Sequence, residues 1–179
     1  MGESTPTVTD SKYFAKAFNA IQKLIKEGKI IAGHDISSGG MLITLLEMNF
    51  ANKEGGVKVN LNSFSEHELL PILFSENPGI IIQVKNSNAI VSDLGKLGIE
   101  AHIIGTPIAE RSINIFYHNA KLSFDIDKYR DIWYKTSYLL DKKQTNEKLA
   151  KERFETYKNT VFTYKFPEGF TGKLADYGL

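Results

Sequence analysis

The residues best suited to chemistry lie in one loop, residues 32–41, where small polar side chains and two glycines separate an apolar run from an amphipathic helix. Asp35 offers a carboxylate to a hard cation such as Mg²⁺. Gly39 and Gly40 let the backbone approach an anion closely, and the free amide hydrogens at the start of the helix attract one. The junction is therefore suited to a bound phosphate and its metal.

The same residue types also make an ordinary turn before a helix. In that interpretation Ser37 or Ser38 is the N-cap of the helix, and a glycine supplies a positive φ. Spacing alone favours this structural interpretation over a ligand site.

Two elements must position the loop. The apolar run Lys29 to Ala32 predicts a buried strand before it, and residues 41–48 predict a helix after it. Upstream, an amphipathic helix is predicted from about Ser11 to Glu27, where Gly28 ends it. Its apolar face consists of Phe14, Phe18, Ile21, Leu24 and Ile25.

Strands and helices alternate in the middle of the chain, which predicts a layered α/β domain. The predicted strands are 57–61, 79–85, 101–108 and a hairpin of 112–117 with 121–124, and the predicted helices are 65–74 and 87–97. From about residue 127 to 164 the chain is polar and helical. The best packing candidates there are Trp133, Tyr134, Tyr138, Leu139 and Leu140.

Beyond the loop, the sequence His-Asp-Ile-Ser-Ser-Gly-Gly-Met of residues 34–41 continues to Glu-Met-Asn-Phe-Ala of residues 47–51. This stretch resembles the C-terminal domain of the aminoimidazole ribonucleotide (AIR) synthetase superfamily, in particular the second such domain of phosphoribosylformylglycinamidine synthases. Those proteins carry His-Asp-x-Ser-Asp-Gly-Gly-Leu before a helix ending Glu-Met-x-Phe-Ala. Residues 2–8 and 79–84 are similar to the entry segment and to a strand of that domain, and the resemblance extends over about residues 2–140.

The resemblance implies a three-layer α/β/α domain with a helical C-terminal extension. We expect the domain to span residues 1–126 and the extension to span residues 127–165. Residues 166–179 contain one proline and three glycines, and they are expected to be a linker toward an absent glutaminase domain. The chain is thus expected to be a piece of a larger protein.

The function implied is part of an ATP-dependent ligase of purine biosynthesis, a glutamine amidotransferase that converts formylglycinamide ribonucleotide to formylglycinamidine ribonucleotide. The family's sites for ATP or ADP lie between a domain of this kind and an ATP-binding-type domain. By resemblance, Asp35 is a Mg²⁺ ligand, and Ser37, Gly39 and Gly40 contact the nucleotide. His34 is expected to orient the loop rather than to act as an acid or base.

No catalytic residue is expected in this chain, and the isolated fragment is expected to be inactive. In the second copy of the domain the nucleotide site resembles the auxiliary one, where nucleotide is retained rather than turned over. The alternative is a structural docking module with a vestigial phosphate loop. The two hypotheses differ at Asp35, which the first requires to be exposed beside the helix and the second requires to be satisfied inside the domain.

One position departs from the family pattern. Ser38 stands where the family usually has aspartate, so the loop has one negative charge fewer for a second metal contact.

Composition excludes several other classes of protein. A formal net charge of +1, with acids and bases interspersed, provides no basic surface for nucleic acid, and the absence of cysteine excludes disulfides and thiolate metal sites. The sequence shows no signal segment and no apolar run long enough to cross a membrane. We therefore expect a cytoplasmic protein. The resemblance implies that its partners are the ATP-binding-type and glutaminase domains of the same parent chain.

Overall fold

The computed structural model describes residues 5–159, 166 and 168–173. The chain divides into two compact units, Met1–Thr136 and Ser137–Leu179. The helices are α1 (Ser11–Lys26), α2 (Gly40–Phe50), α3 (Leu69–Phe74), α4 (Ser87–Lys96), α5 (Ile126–Gln144), α6 (Glu147–Glu155) and a short 3₁₀ helix (Tyr157–Asn159). The strands are β1 (Ile30–Ile36), β2 (Gly56–Asn60), β3 (Gly79–Val84), β4 (Gly105–Ile108), β5 (Ser112–Tyr117) and β6 (Ala120–Asp125).

A two-stranded antiparallel ribbon of β1 and β3 forms the middle layer of the first unit. Successive residues of a strand point to opposite faces, and here each face meets helices. Ile81 packs in a cluster with Met41 and Leu45 of α2, whereas Ile82 packs on the opposite side against Leu24 of α1 and the α4 residues Ile90 and Leu94. The predicted three-layer α/β/α domain is therefore confirmed.

A second sheet has the strand order β4-β2-β5-β6. Strand β2 runs parallel to β5 and antiparallel to β4, while β5 and β6 form the predicted hairpin. One face of this sheet is buried in the main core through alternate residues of β5, namely Ile113, Ile115 and Tyr117. The other face carries Lys58 and Asn114, which are exposed and half-buried respectively.

Helix α1 follows its sequence pattern closely. The Asp10 carboxylate caps it by accepting the backbone N–H groups of Lys12 and Tyr13, and Gly28 adopts φ +64 after its last turn. Its predicted apolar stripe is only partly buried, because Phe14 is 46% and Phe18 is 55% exposed.

Two elements are shorter than predicted. The helix expected from residue 65 begins at Leu69, because the Glu66 carboxylate accepts the N–H groups of His67 and Glu68 and holds a turn there. The strand expected from residue 101 pairs with β2 only from Gly105.

The strand before the loop forms as predicted but is longer and less buried than expected. Strand β1 continues to Ile36, through His34 and Asp35, and Ile31 within it is 53% exposed.

The second unit contains the end of α5, α6 and the 3₁₀ helix. Tyr138 stacks on Phe154 with ring centroids 4.7 Å apart, and the Arg153 guanidinium donates to both oxygens of Asp141. Hydrogen bonds from Arg153 and Thr145 lower the pKa of Asp141 below its ordinary value of 3.8. The stabilisation that this pair contributes is therefore present above pH 3.8 and is lost as the pH falls below it.

Several predictions for the C-terminal region need correction or lie beyond the described residues. Trp133, Leu139 and Leu140, expected to be packed, are 52%, 43% and 55% exposed. Half of the predicted linker 166–179 lies outside the described residues, as does the end of the predicted helical region. In the described part of the chain, no helix combines the length and apolar character needed to cross a bilayer.

Arg111 joins three segments that are distant in sequence. Its Nε donates to Asp127 at the start of α5 at 3.0 Å, and its Nη1 donates to the carbonyls of Asn49 and Gly55 at 3.0 and 3.3 Å. The Arg111 side chain is 17% exposed, so these hydrogen bonds are largely shielded from water. Arg111 thereby fixes the end of α2, the start of β2 and the start of α5 relative to one another.

We expect Arg111→Met to destabilise the protein by about 2 kcal/mol or more, because two carbonyls and a carboxylate lose a charged donor. Lys96→Met is the matched control, since it breaks an exposed ion pair with Asp93 and should cost much less stability than Arg111→Met. Urea unfolding gives both values. Equal small losses for the two variants would contradict the assigned role of Arg111.

Candidate functional site

The loop after β1 presents Asp35 to solvent. The Asp35 side chain is 78% exposed, and its carboxylate lies 3.4 Å from His34 Nδ1. Ser37 and Ser38 are also exposed, and Ser37 contributes its backbone carbonyl to a turn by accepting Gly40 N–H at 2.9 Å. The carboxylate is thus free to meet a ligand, as the nucleotide-site hypothesis requires.

A buried threonine holds Asp35 against the first turn of α2. Thr44 is 1% exposed, and its hydroxyl lies 3.3 Å from the Asp35 carbonyl and 3.1 Å from the Gly40 carbonyl. The backbone of Asp35 is therefore held beside the first turn of α2, where backbone amides and the helix dipole favour an anion.

The two glycines are required by backbone geometry. Gly39 is the N-cap of α2 in the left-handed region at φ +86, so neither Ser37 nor Ser38 caps the helix as the structural interpretation expected. Gly40 has φ +68, and a Cβ added there would lie 2.6 Å from the Leu73 carbonyl oxygen and 2.7 Å from Phe74 backbone atoms. The first turn of α2 thus packs directly on the backbone of α3.

Glu76 is a site residue that the sequence did not reveal. It follows α3, and its carboxylate accepts the Gly39 N–H at 2.8 Å. An internal anion therefore occupies one of the amides that a phosphate oxygen would use. No spacing signal connects Glu76 to a loop 37 residues earlier in the chain; only the packing of α3 on α2 brings the two together.

His34 links the loop to the body of the domain. Its Nε2 lies 3.5 Å from the Glu47 carboxylate, and Glu47 in turn accepts the Trp133 indole N–H at 3.0 Å. The Trp133 ring also packs on Phe50, with centroids 5.3 Å apart. This chain of contacts is compatible with an orienting role for His34, which stays a prediction.

The loop offers Mg²⁺ a partial coordination shell. No group of three or more metal-binding side chains is found among the residues that the structure describes. Mg²⁺ commonly keeps several waters and binds through one or two carboxylates together with substrate phosphates. The exposed Asp35 carboxylate fits this mode of binding, in which the nucleotide supplies the remaining oxygens.

Comparison with known proteins identifies the class to which this fold and loop belong. The family described as "AIR synthase related protein, C-terminal domain" matches residues 2–118, about two thirds of the chain. The chain belongs to this family.

Particular relatives point to one enzyme. A protein of Arabidopsis thaliana described as "Probable phosphoribosylformylglycinamidine synthase, chloroplastic/mitochondrial" is 36% identical over 152 residues, which is 80% of this chain and 10% of the relative. The chain thus spans about a tenth of the length of this curated relative. Because the relative is assigned to organelles, the cytoplasmic location expected from the sequence stays a prediction.

Solved structures share the fold. Phosphoribosylformylglycinamidine synthase II from Thermotoga maritima matches with a TM-score of 0.59 and 19% identity, covering 67% of this chain and 22% of that one. T. maritima PurL complexed with ATP matches with a TM-score of 0.55 and 18% identity, covering 62% of this chain and 20% of that one.

We expect Gly40→Ala to destabilise the protein by more than about 1 kcal/mol, because the methyl group meets α3 backbone and the residue must keep a positive φ. Gly95→Ala is the control: Gly95 lies inside α4 with open space around its Cβ position, so alanine should stabilise by about 0.4–1 kcal/mol. Thermal unfolding measures both changes. A neutral Gly40→Ala would contradict the assigned packing of α2 on α3.

Proposed function

We propose that this chain is one domain of a phosphoribosylformylglycinamidine synthase, and that it contributes part of a Mg²⁺–nucleotide site to the intact enzyme. The observation that carries the proposal is the exposed carboxylate of Asp35, a residue whose backbone is held at the first turn of α2. A docking module with a vestigial loop would instead have Asp35 satisfied within the domain. The family membership and the 36% identical relative support the enzyme class.

We assign different steps of the reaction to different domains, because the parent protein is much larger than this chain. The intact enzyme would use glutamine as nitrogen donor and ATP to convert formylglycinamide ribonucleotide to formylglycinamidine ribonucleotide. ATP-binding-type and glutaminase domains of the same polypeptide would complete the site and supply ammonia. Within this chain we assign residues 1–126 to the family domain, 127–165 to a helical extension and 166–179 to a linker. The isolated chain would be inactive, because positioning by the partner domains is absent.

In the proposed site each residue has a limited role. Asp35 would hold Mg²⁺, which screens the phosphate charges when it is bound. Ser37 would donate its hydroxyl to the nucleotide, while the Gly39 and Gly40 backbone shapes the turn. His34 would orient the loop through Glu47. We assign the site to nucleotide retention, an auxiliary role, rather than to turnover.

In the intact enzyme, Asp35→Asn should strongly reduce the nucleotide retained after purification, because an amide lacks the charge that holds Mg²⁺. Ser37→Ala should reduce it less, since one neutral hydrogen bond contributes about 0.5–1.5 kcal/mol. The control is Asp93→Asn, which changes an exposed carboxylate on α4. Bound nucleotide is quantified by chromatography, alongside melting temperature and turnover.

The outcomes of this experiment separate the hypotheses. Loss of nucleotide with a lower melting temperature and retained chemistry supports an auxiliary site. Unchanged nucleotide content in Asp35→Asn would contradict the metal assignment and favour the docking module. Normal retention with abolished turnover would show that this copy is catalytic.

Glu76 should make nucleotide binding depend on Mg²⁺, because its carboxylate lies where phosphate would bind. We expect Glu76→Gln to raise the affinity for ADP without Mg²⁺ by about fivefold or more, since two like charges 4 Å apart repel by about 1 kcal/mol even in bulk water. Glutamine keeps an oxygen that can accept the Gly39 N–H, whereas Glu76→Ala removes that acceptor. Titration calorimetry of the intact enzyme measures the affinity for ADP with and without Mg²⁺. If this affinity depends on Mg²⁺ in Glu76→Gln as strongly as in the unmodified enzyme, the assigned role of Glu76 is refuted.

A further inference from the structure

A large groove reaches the apolar residues Ala32, Ile36 and Met41 of the loop but not its polar residues. It has a volume of about 920 Å³ and is lined mainly by apolar side chains of the first unit. One wall is β3 with neighbouring residues, and the other is the segment that ends in β4. Asp35, Ser37 and the two glycines of the loop do not line it. The groove is therefore distinct from the proposed nucleotide site.

The groove exposes strand edges rather than strand faces. Consecutive residues line both walls: 78–85, around β3, on one side, and on the other residues 105–108 of β4 with the non-strand segment 99–104 before it. Side chains of a strand alternate between its two faces, so a cavity over one face would be lined by every second residue. A cavity lined by every residue in turn must face the backbone edge.

Both of these edges lack a partner in the described part of the chain. Strand β3 pairs with β1 on one side, and β4 pairs with β2 on one side; neither pairs with a further strand. An open strand edge presents backbone N–H and C=O groups that need hydrogen-bond partners and that readily accept another strand. Two such edges face one groove.

The environment of the groove indicates what would fill it. Ile31, Ile80 and Ile103 line it and remain 53%, 43% and 43% exposed. Residues of α1 and α4, among them Ile21 and Leu94, line the groove as well, and so do the α2 residues Met41 and Leu45. A strand inserted there would be covered by helices on both faces. Strands buried in this way are continuous apolar runs rich in valine, isoleucine and leucine.

We propose that the groove receives one β-strand from the part of the parent polypeptide outside residues 1–179, inserted between β3 and β4. The inserted strand, βX, would join the ribbon and the four-stranded sheet into one sheet of order β1-β3-βX-β4-β2-β5-β6. Its sequence is a short run of β-branched and aliphatic residues. Because the chain spans a tenth of its curated relative, the parent has ample polypeptide to supply this strand.

None of the described strands of a second copy of this chain fits the groove. An inserted strand must have both edges free to pair with β3 and with β4. Each of the six described strands already pairs with at least one neighbour, so none can enter the groove of another molecule without leaving its own sheet. Pairing between copies through one edge would leave the other edge open.

The first test is amide-resolved hydrogen exchange on the intact parent protein, which requires no substitution. An inserted strand protects consecutive amides of β3 from Ile80 to Val84, and those of Gly105, Thr106 and Ile108 in β4, where Pro107 has no N–H. Without the inserted strand, the amides that point toward the open edge exchange at least about tenfold faster than the neighbouring amides, so fast and slow exchange alternate along each strand. That alternating pattern in both strands would overturn the proposal.

The second test identifies the occupant by photo-cross-linking. Ile103 is replaced by p-benzoylphenylalanine in the intact parent protein, with the same replacement at Leu97, which is 52% exposed and does not line the groove, as control. We expect an adduct at monomer mass that joins position 103 to an apolar segment outside residues 1–179, and no such adduct from position 97. An adduct at dimer mass, or one confined to residues 1–179, would overturn the proposal.

Discussion

The close packing of α2 on the backbone of α3 is the constraint on which the site depends. A glycine at position 40 allows it, because any Cβ there would lie 2.6 Å from the Leu73 carbonyl oxygen. This contact brings Glu76, just after α3, within 2.8 Å of the Gly39 amide. It also places the apolar residues of α2 in the core, and Thr44 then holds Asp35 beside the first turn. The contact of Gly40 with the α3 backbone therefore determines both the conformation of the loop and the presence of the Glu76 carboxylate beside it.

The loop is a mixed electrostatic environment. The helix N-terminus attracts an anion, while Glu76 accepts the Gly39 N–H and Asp35, whose backbone is held at the first turn, adds a second carboxylate. Such an arrangement favours a phosphate accompanied by a divalent cation over a bare phosphate. Ser38 removes one charge relative to the resembled family, and Glu76 brings a carboxylate to the loop from a different segment. The glycines explain the turn, and the carboxylates explain why a cation belongs in the proposed ligand.

The division of the strands into a ribbon and a four-stranded sheet is the other organising feature of the first unit. The two sheets share a core through α2 but leave strand edges facing one apolar groove. The exposed isoleucines that line this groove would favour unwanted association in a free domain. They are consistent with a domain that meets further polypeptide in its parent, whose relative is ten times longer than the matched region.

The sequence by itself determined the features that depend on local pattern. The amphipathic spacing of residues 11–26, the Gly-Gly turn before α2 and the β5–β6 hairpin are specified by neighbouring residues, and the motif around Asp35 identified the family. The tertiary structure decided the contacts between distant segments. It placed Glu76 on Gly39, joined three segments through Arg111, made Gly39 rather than a serine the N-cap, and left Ile31 and Trp133 exposed. A periodic pattern reports which face of an element is apolar, but only packing in three dimensions determines whether anything covers that face.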